Sequence, residues 1–309
     1  MTADVLGADF ETRALPLGSG DATATLVRHR APEATRGAVL YVHGWADYFF
    51  QRHVAEHCAA LGHDFYAVDL RAYGRSLKPG ETPNFTTDMT TYYQELDEAA
   101  RIIRSEHGHT RLVVMGHSTG GLITSLWAHD RRTTRVVDAL VLNSPWFDLA
   151  ESRFMQTVGT SVVRGVGRVA PKVVVKPGLG PVYGESIHRD HHGEWDFDLT
   201  WKPLMAFPVY AGWLRAVRLA HFRLHAGLDV GVPALVLRSD ASHLHAKAFT
   251  ERAMVTDTVL DVEHIERWAP KLGGEVTSLP VKGGMHDLFL SSEPVRNQAF
   301  ELVDEFLDR

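Results

Sequence analysis

The chain of 309 residues is 45% hydrophobic and 23% charged, with 26 Gly and 14 Pro, a composition that excludes disorder, collagen and a long coiled coil. Its 32 Lys and Arg against 38 Asp and Glu give a formal net charge of −6, which leaves no basic footprint for a nucleic acid. One cysteine, Cys58, rules out an internal disulfide; with no basic n-region at the start and no apolar stretch of membrane-spanning length, the expectation is a cytoplasmic protein without an integral membrane segment.

Polar–apolar alternation over residues 12–30, with Gly18-Ser-Gly-Asp as the turn, predicts an edge hairpin. Residues 37–44 (GAVLYVHG) read as a buried strand, and residues 48–61 as a helix that stops at Gly62. A second strand is expected at 64–70. The spacing of Leu96, Ala99, Ala100 and Ile103 predicts a helix over 90–105, followed by a strand at 111–115. Further strands are expected at 136–142, 233–237 and 275–281. Ser292-Glu-Pro294 opens a final helix, with the serine as its cap and Val295, Ala299, Leu302, Val303 and Phe306 as its buried stripe. This alternation predicts an α/β protein: a mostly parallel central sheet with helices on both faces.

One segment breaks the rhythm. Residues 151–229 are far longer than a crossover requires and contain helical pieces, Lys176-Pro-Gly-Leu-Gly-Pro and three tryptophans, Trp195, Trp201 and Trp213. An unstructured loop of that length is improbable, so an inserted, mainly helical cap is expected. The division is then a first core part at 1–150, the cap at 151–229 and a second core part at 230–309. The tryptophans either form the cap's own core or line a pocket beneath it; Trp201 and Trp213 are the candidate substrate-binding residues.

The chemistry concentrates at Gly116-His117-Ser118-Thr119-Gly120, a G-x-S-x-G pattern. It directly follows an apolar strand and directly precedes the helical run Leu122-Ile-Thr-Ser-Leu-Trp-Ala. So tight a strand-to-helix turn forces the serine into strained geometry, and the flanking glycines leave room for it. The hydroxyl then stands at the C-terminal sheet edge, before a helix N-terminus that favours developing negative charge. Ser118 is the expected nucleophile.

Together with His43-Gly44-Trp45, Asp69-Leu-Arg-Ala-Tyr-Gly-Arg-Ser76, Leu142-Asn-Ser-Pro145 and Gly284-Met-His286, this elbow resembles the α/β-hydrolases. The resemblance is to the serine-hydrolase branch of monoacylglycerol lipases, lysophospholipases and S33-type aminopeptidases. It covers most of residues 36–148 and 229–309, with Ala72 standing where glycine is usual. It implies a Ser–acid–His chain order, in which His286, after the last strand, is the general base. His43 becomes a loop-ordering residue beside the oxyanion hole. The groups His188, His191, His192 and His225, His243, His245 show no metal pattern and read as solvated.

Asp240, Asp257 and Asp261 compete for the acid. Asp240 is nearest the strand end, but Asp257 is followed by Val259 and Leu260, apolar anchors, and then by a helix pattern at 262–268; Asp257 is preferred. The backbone N–H of Thr119 and that of Trp45 are the expected oxyanion donors. The resulting expectation is a serine hydrolase that uses no cofactor or metal and acts on a small hydrophobic ester. One alternative is an aminopeptidase whose cap carboxylates, Glu185, Glu194, Asp196 or Asp198, hold a substrate amine. Another is a ligand-binding receptor on a hydrolase scaffold.

Overall fold

The computed structural model describes residues 2–18, 22–149 and 160–308. Its strands are β1 (Thr2–Asp4), β2 (Gly7–Pro16), β3 (Thr23–His29), β4 (Gly37–Val42), β5 (His63–Asp69), β6 (Leu112–His117), β7 (Ala139–Asn143), β8 (Val174–Lys176), β9 (Val209–Tyr210), β10 (Ala234–Ser239) and β11 (Val276–Val281). All but β8 and β9 join one sheet in the order β1-β2-β3-β5-β4-β6-β7-β10-β11. From β5 to β11 the neighbours are parallel, and β1, β2 and β3 extend the sheet in antiparallel fashion. Strands β4, β5, β6, β7 and β10 are buried along their whole length, which is why they read as continuous apolar runs and not as alternating ones.

Successive side chains point to opposite faces. Ala38, Leu40 and Val42 of β4 pack on one side, where α2 (Tyr93–Arg101), α3 (Thr119–Arg131) and α6 (Ala211–Ala226) cover the sheet. Val39 and Tyr41 pack on the other, against α1 (Arg52–Ala60) and α8 (Glu293–Leu307). Between β7 and β10 lie α4 (Thr160–Val169), α5 (Val182–Ile187) and α6, with β8 and β9 as a small antiparallel pair beside them. Helix α6 packs on both α4 and α3, so it connects the inserted segment to the sheet layer.

Several local expectations change. The helix expected at 48–61 begins at Arg52, because Tyr48, Phe49 and Phe50 are buried in loop conformation. That expected at 90–105 is a 3-10 turn, then α2, then a π turn at Ile102–Glu106. The strand expected at 136–142 is β7, starting at Ala139. Ser292 precedes α8 but makes no side-chain capping bond. The turn of the N-terminal hairpin, at 19–21, and the opening of the inserted segment, at 150–159, lie outside the described residues.

The run from Asp69 to Ser76 folds as a buried polar hub. Asp69 accepts from the N–H groups of Phe49 and Arg75 (both 3.0 Å) and from Arg75 Nη1 (2.9 Å), while Arg75 Nε donates to Asp4 (2.6 Å). The hub fixes the loop after β4 to the end of β5. Ala72 takes a left-handed φ of 59°, which explains why glycine suits that position. Because Arg75 is nearly buried between two carboxylates, Arg75→Met strands both charges. We expect it to cost about 3–5 kcal/mol in urea unfolding; a loss below about 1 kcal/mol would show the hub to be solvated.

Candidate active site

Ser118 sits between β6 and α3 with φ 52° and ψ −116°, a conformation that costs about 1–3 kcal/mol and persists only where its surroundings enforce it. The surroundings are glycine contacts. A Cβ on Gly120 would lie 2.3 Å from Val42 O and 2.4 Å from His43 O, and one on Gly121 would lie 2.7 Å from Pro145 Cβ. The turn is also sewn to the strand beside it: Ser118 N–H donates to Asn143 O (3.0 Å) and Trp146 N–H donates to Ser118 O (3.0 Å).

His286 Nε2 lies 3.1 Å from Ser118 Oγ, and its Nδ1 lies 2.8 Å from Asp257 Oδ2. Serine, imidazole and carboxylate are all buried. Asp257 Oδ1 accepts the N–H groups of Val259 (2.8 Å) and Leu260 (2.7 Å), so the two residues read as anchors hold the carboxylate through their backbone. The competing aspartates do other work. Asp240 Oδ1 accepts Gly283 N–H (2.9 Å) in the turn before His286, and Asp261 caps α7 (Val262–Trp268) through Glu263 N–H (3.0 Å).

The His286 loop is held from behind by a network absent from the sequence reading. Asp287 accepts from Asn143 Nδ2 (2.7 Å) and Gln51 Nε2 (3.0 Å), and Asn143 Oδ1 accepts Leu288 N–H (3.2 Å). Asp287 directly follows His286 in the sequence, the one signal that could have pointed to it. From the inserted segment, Tyr183 meets the His286 ring edge-on at 5.4 Å. Burial pushes the Tyr183 phenol well above its ordinary pKa, so it stays protonated. His117, also beside His286, is buried and its pKa is lowered, chiefly by that burial.

Trp45 and Thr119, whose backbone N–H groups are the expected oxyanion donors, border the same cavity as Ser118. Thr119 is in the first turn of α3, where N–H groups have no partner within the helix. Trp45 follows β4 in a loop ordered by His43, whose Nε2 accepts Leu70 N–H (3.1 Å) and whose Nδ1–H therefore donates to Gly44 O (2.7 Å). Gly44 lets that loop approach Ser118: a Cβ there would lie 3.2 Å from Ser118 Cβ.

These groups border a cavity of about 370 Å³. Trp213 lines it and packs on Trp45 (4.8 Å) and Trp146 (5.7 Å). Trp201 does not line it. It lies edge-on to Tyr48 (5.1 Å) and packs with Phe50, Ile187 and Phe197, so it is a structural residue and not a pocket wall. Trp195 likewise stacks on His53 and donates to Leu290 O (2.8 Å).

Glu185, Glu194, Asp196 and Asp198 do not border the cavity either; Glu194 pairs with Arg296, Asp196 with Arg189, and Asp198 holds Thr200 N–H. Asp47 does border it, paired with Lys202 of the inserted segment at 2.8 Å. Burial opposes the charge on Asp47, but Lys202 together with His117 and His43 outweighs it and the pKa is lowered. His188 is buried edge-on to Phe197 and His225 stacks on Trp268, so neither is a solvated loop residue. Among the described residues no group of three His, Cys, Asp or Glu is placed to hold a metal ion. No helix among them is long and apolar enough to cross a membrane.

With this geometry in view, the relatives can be compared. A family model described as "Serine aminopeptidase, S33" matches residues 33–266. A monoacylglycerol lipase of Mycolicibacterium smegmatis is 29% identical over 142 residues, covering 46% of this chain and 48% of that one. The alignment thus spans about half the length of that curated relative. Among solved structures, a soluble variant of the Saccharomyces cerevisiae monoglyceride lipase, in complex with a substrate analogue, superposes with TM-score 0.70 at 16% identity, covering 97% of this chain and 96% of that one. The Paleococcus ferrophilus monoacylglycerol lipase gives TM-score 0.67 at 20% identity, with 91% and 98% covered. At those identities the structural likeness speaks for the fold alone. Family match, curated relative and fold agree: the chain belongs to the S33 serine aminopeptidase family of α/β-hydrolases, in the branch that resembles the monoacylglycerol lipases.

Proposed function

We propose that the protein is a serine hydrolase that cleaves carboxylic esters of hydrophobic acyl groups through an acyl-enzyme. The observation that carries this reading is the Ser118–His286–Asp257 relay, at 3.1 and 2.8 Å, opening onto a cavity walled by Trp45, Trp146 and Trp213. Ser118 Oγ attacks the ester carbonyl carbon while its proton passes to His286 Nε2. Asp257 fixes the imidazole tautomer by accepting Nδ1–H and stabilises the imidazolium. The oxyanion of the tetrahedral intermediate takes hydrogen bonds from Thr119 N–H and Trp45 N–H. Collapse breaks the bond to the alkoxy oxygen, which leaves as the alcohol with the proton from His286. Water, deprotonated by the same base, then cleaves the acyl-enzyme and releases the acid.

In this reading residues 151–229 act as the cap, shaping the cavity through Tyr183, Lys202 and Trp213 while supplying no member of the triad. The aminopeptidase alternative needs a carboxylate free to hold an amine. The four cap carboxylates suggested for it do not line the cavity, and Asp47, which does, is already paired with Lys202. The assembled triad weighs against a receptor without turnover. Aminoacyl anilides assayed beside p-nitrophenyl and glyceryl esters separate these readings. Ester turnover with inert anilides is expected, and anilide cleavage that exceeds ester cleavage would favour the aminopeptidase.

A fluorophosphonate is expected to label the protein once, at Ser118, and Ser118→Ala to abolish both labelling and ester turnover. Labelling of a different serine would remove the mechanism. Asp257→Asn should lower turnover by about 10⁴-fold, because the imidazole loses its orienting acceptor. Asp240→Asn keeps an oxygen for Gly283 N–H and should fall by no more than about tenfold, the effect of one weakened hydrogen bond. The reverse ranking of these two variants in steady-state kinetics would assign the acid to Asp240.

A further inference from the structure

The segment between β10 and Asp257 does more than connect them. Its two ends are closed by a short ladder: Asp257 N–H donates to Ala241 O (2.9 Å) and His243 N–H donates to Asp257 O (2.7 Å). Ser242 Oγ donates to Leu260 O (3.0 Å) and accepts Val262 N–H (2.9 Å). The first leg is therefore held in register with the proposed catalytic acid. Just beyond it, Leu244, His245 and Ala246 border the cavity beside Thr258, Val259 and Leu260, and His245 turns the chain with a left-handed φ of 60°.

The far part of the segment is anchored under the inserted region. Ala253 of the 3-10 turn Glu251–Met254 is buried, and Met254 packs against the cluster containing Ile187 and Phe197. The Phe249 ring stacks on His192 at 3.5 Å.

We propose that Leu244, His245 and Ala246 form the wall that limits the length and bulk of the acyl arm, an inference that rests on the ester-hydrolase reading. Strand order supplies the direction. In the sequence β4-β6-β7-β10, Asp47 follows β4 on one flank of Ser118, while Trp146 follows β7 and Leu244 follows β10 on the other. Each flank carries a buried ion pair beside the cavity, Asp47–Lys202 on the first and Asp148–Arg218 on the second, so charge does not separate them; the apolar side chains do, because Trp146, Leu149, Leu244, Val259 and Leu260 border the cavity after β7 and β10 against Trp45 and Ala46 after β4. The hydrocarbon therefore takes the second flank, among Trp146, Val259, Leu260 and Leu244, and the alcohol takes the first. The wall is tied to the acid loop at its near end, through Ala241, Ser242 and His243, and to the inserted region at its far end, through Phe249 and Met254, so it resists retreat from a chain that is too long. In a filled apolar pocket one methylene changes kcat/KM by about 10–200-fold.

The test uses the full chain with two ester series: p-nitrophenyl esters from acetate to palmitate, which vary the acyl arm, and alkyl acetates, which vary the alcohol. Leu244→Trp should lower the decanoate-to-butyrate ratio of kcat/KM by at least about tenfold relative to the wild type, and Leu244→Ala should raise it. His245→Gly, which suits the left-handed backbone, should broaden the acyl profile as well. Ratios along the alkyl acetates should move by less than about threefold. Fluorophosphonate labelling of each variant reports that its site is assembled; if Leu244→Trp fails to label, Leu244→Ala and His245→Gly decide the question. Unchanged acyl ratios in labelled variants, or a shift confined to the alcohol series, would overturn the wall and leave the hydrolase reading standing. A wild-type protein that turns over neither series would overturn that reading, and the wall with it.

Discussion

The arrangement depends on one backbone constraint, the turn at Ser118. A side chain held at φ 52° and ψ −116° is unfavourable in isolation, and it is imposed here because β6 must stop and α3 must start within one residue. Everything around the serine follows from that. The helix comes so close to β4 that Gly120 meets Val42 O and His43 O with no space for a Cβ. Asn143, at the end of the neighbouring strand, and Trp146, in the loop after it, clamp the turn. The same packing that strains the serine also aims it at His286.

Holding His286 takes a second set of polar groups. His286 stands on a loop, and loops move unless their backbone and side chains are tied down. Asp257 holds it from one side, Asp287 with Asn143 and Gln51 fixes the residue behind it, and Asp240 accepts Gly283 N–H in the approaching turn. Tyr183 closes over the ring from the inserted segment. Three aspartates thus serve one histidine in different ways. Only Asp257 touches the ring, while the other two hold the backbone and side chains beside it and so fix the ring's position.

Much of this was legible in the sequence, for definable reasons. Buried parallel strands leave continuous apolar runs, so the sheet could be read strand by strand. Gly116 and Gly120 mark the elbow, and at Gly120 a Cβ would meet Val42 O and His43 O. Asp257 stood out through Val259 and Leu260, whose N–H groups hold its carboxylate. What escaped depends on partners remote in the chain. Trp201 looked like a pocket residue until Tyr48 was placed against it, and no local pattern announces that Lys202 meets Asp47 across 155 positions. The helix expected at 48–61 lost its first turn where the hub claims Phe49 O through Arg75 Nη1 (2.9 Å), the acceptor that turn would use. Tertiary hydrogen bonds outweighed local periodicity there.

The account stands most directly on where the oxyanion goes. A crystal structure of the protein reacted with a long-chain alkyl phosphonate would fix it. The phosphorus should be bonded to Ser118 Oγ, with its non-bridging oxygen about 2.7–3.1 Å from the backbone nitrogens of both Trp45 and Thr119. The alkyl chain should lie among Trp146, Val259 and Leu260. An adduct whose oxygen points away from those two nitrogens, or one attached to another residue, would contradict the account at its centre.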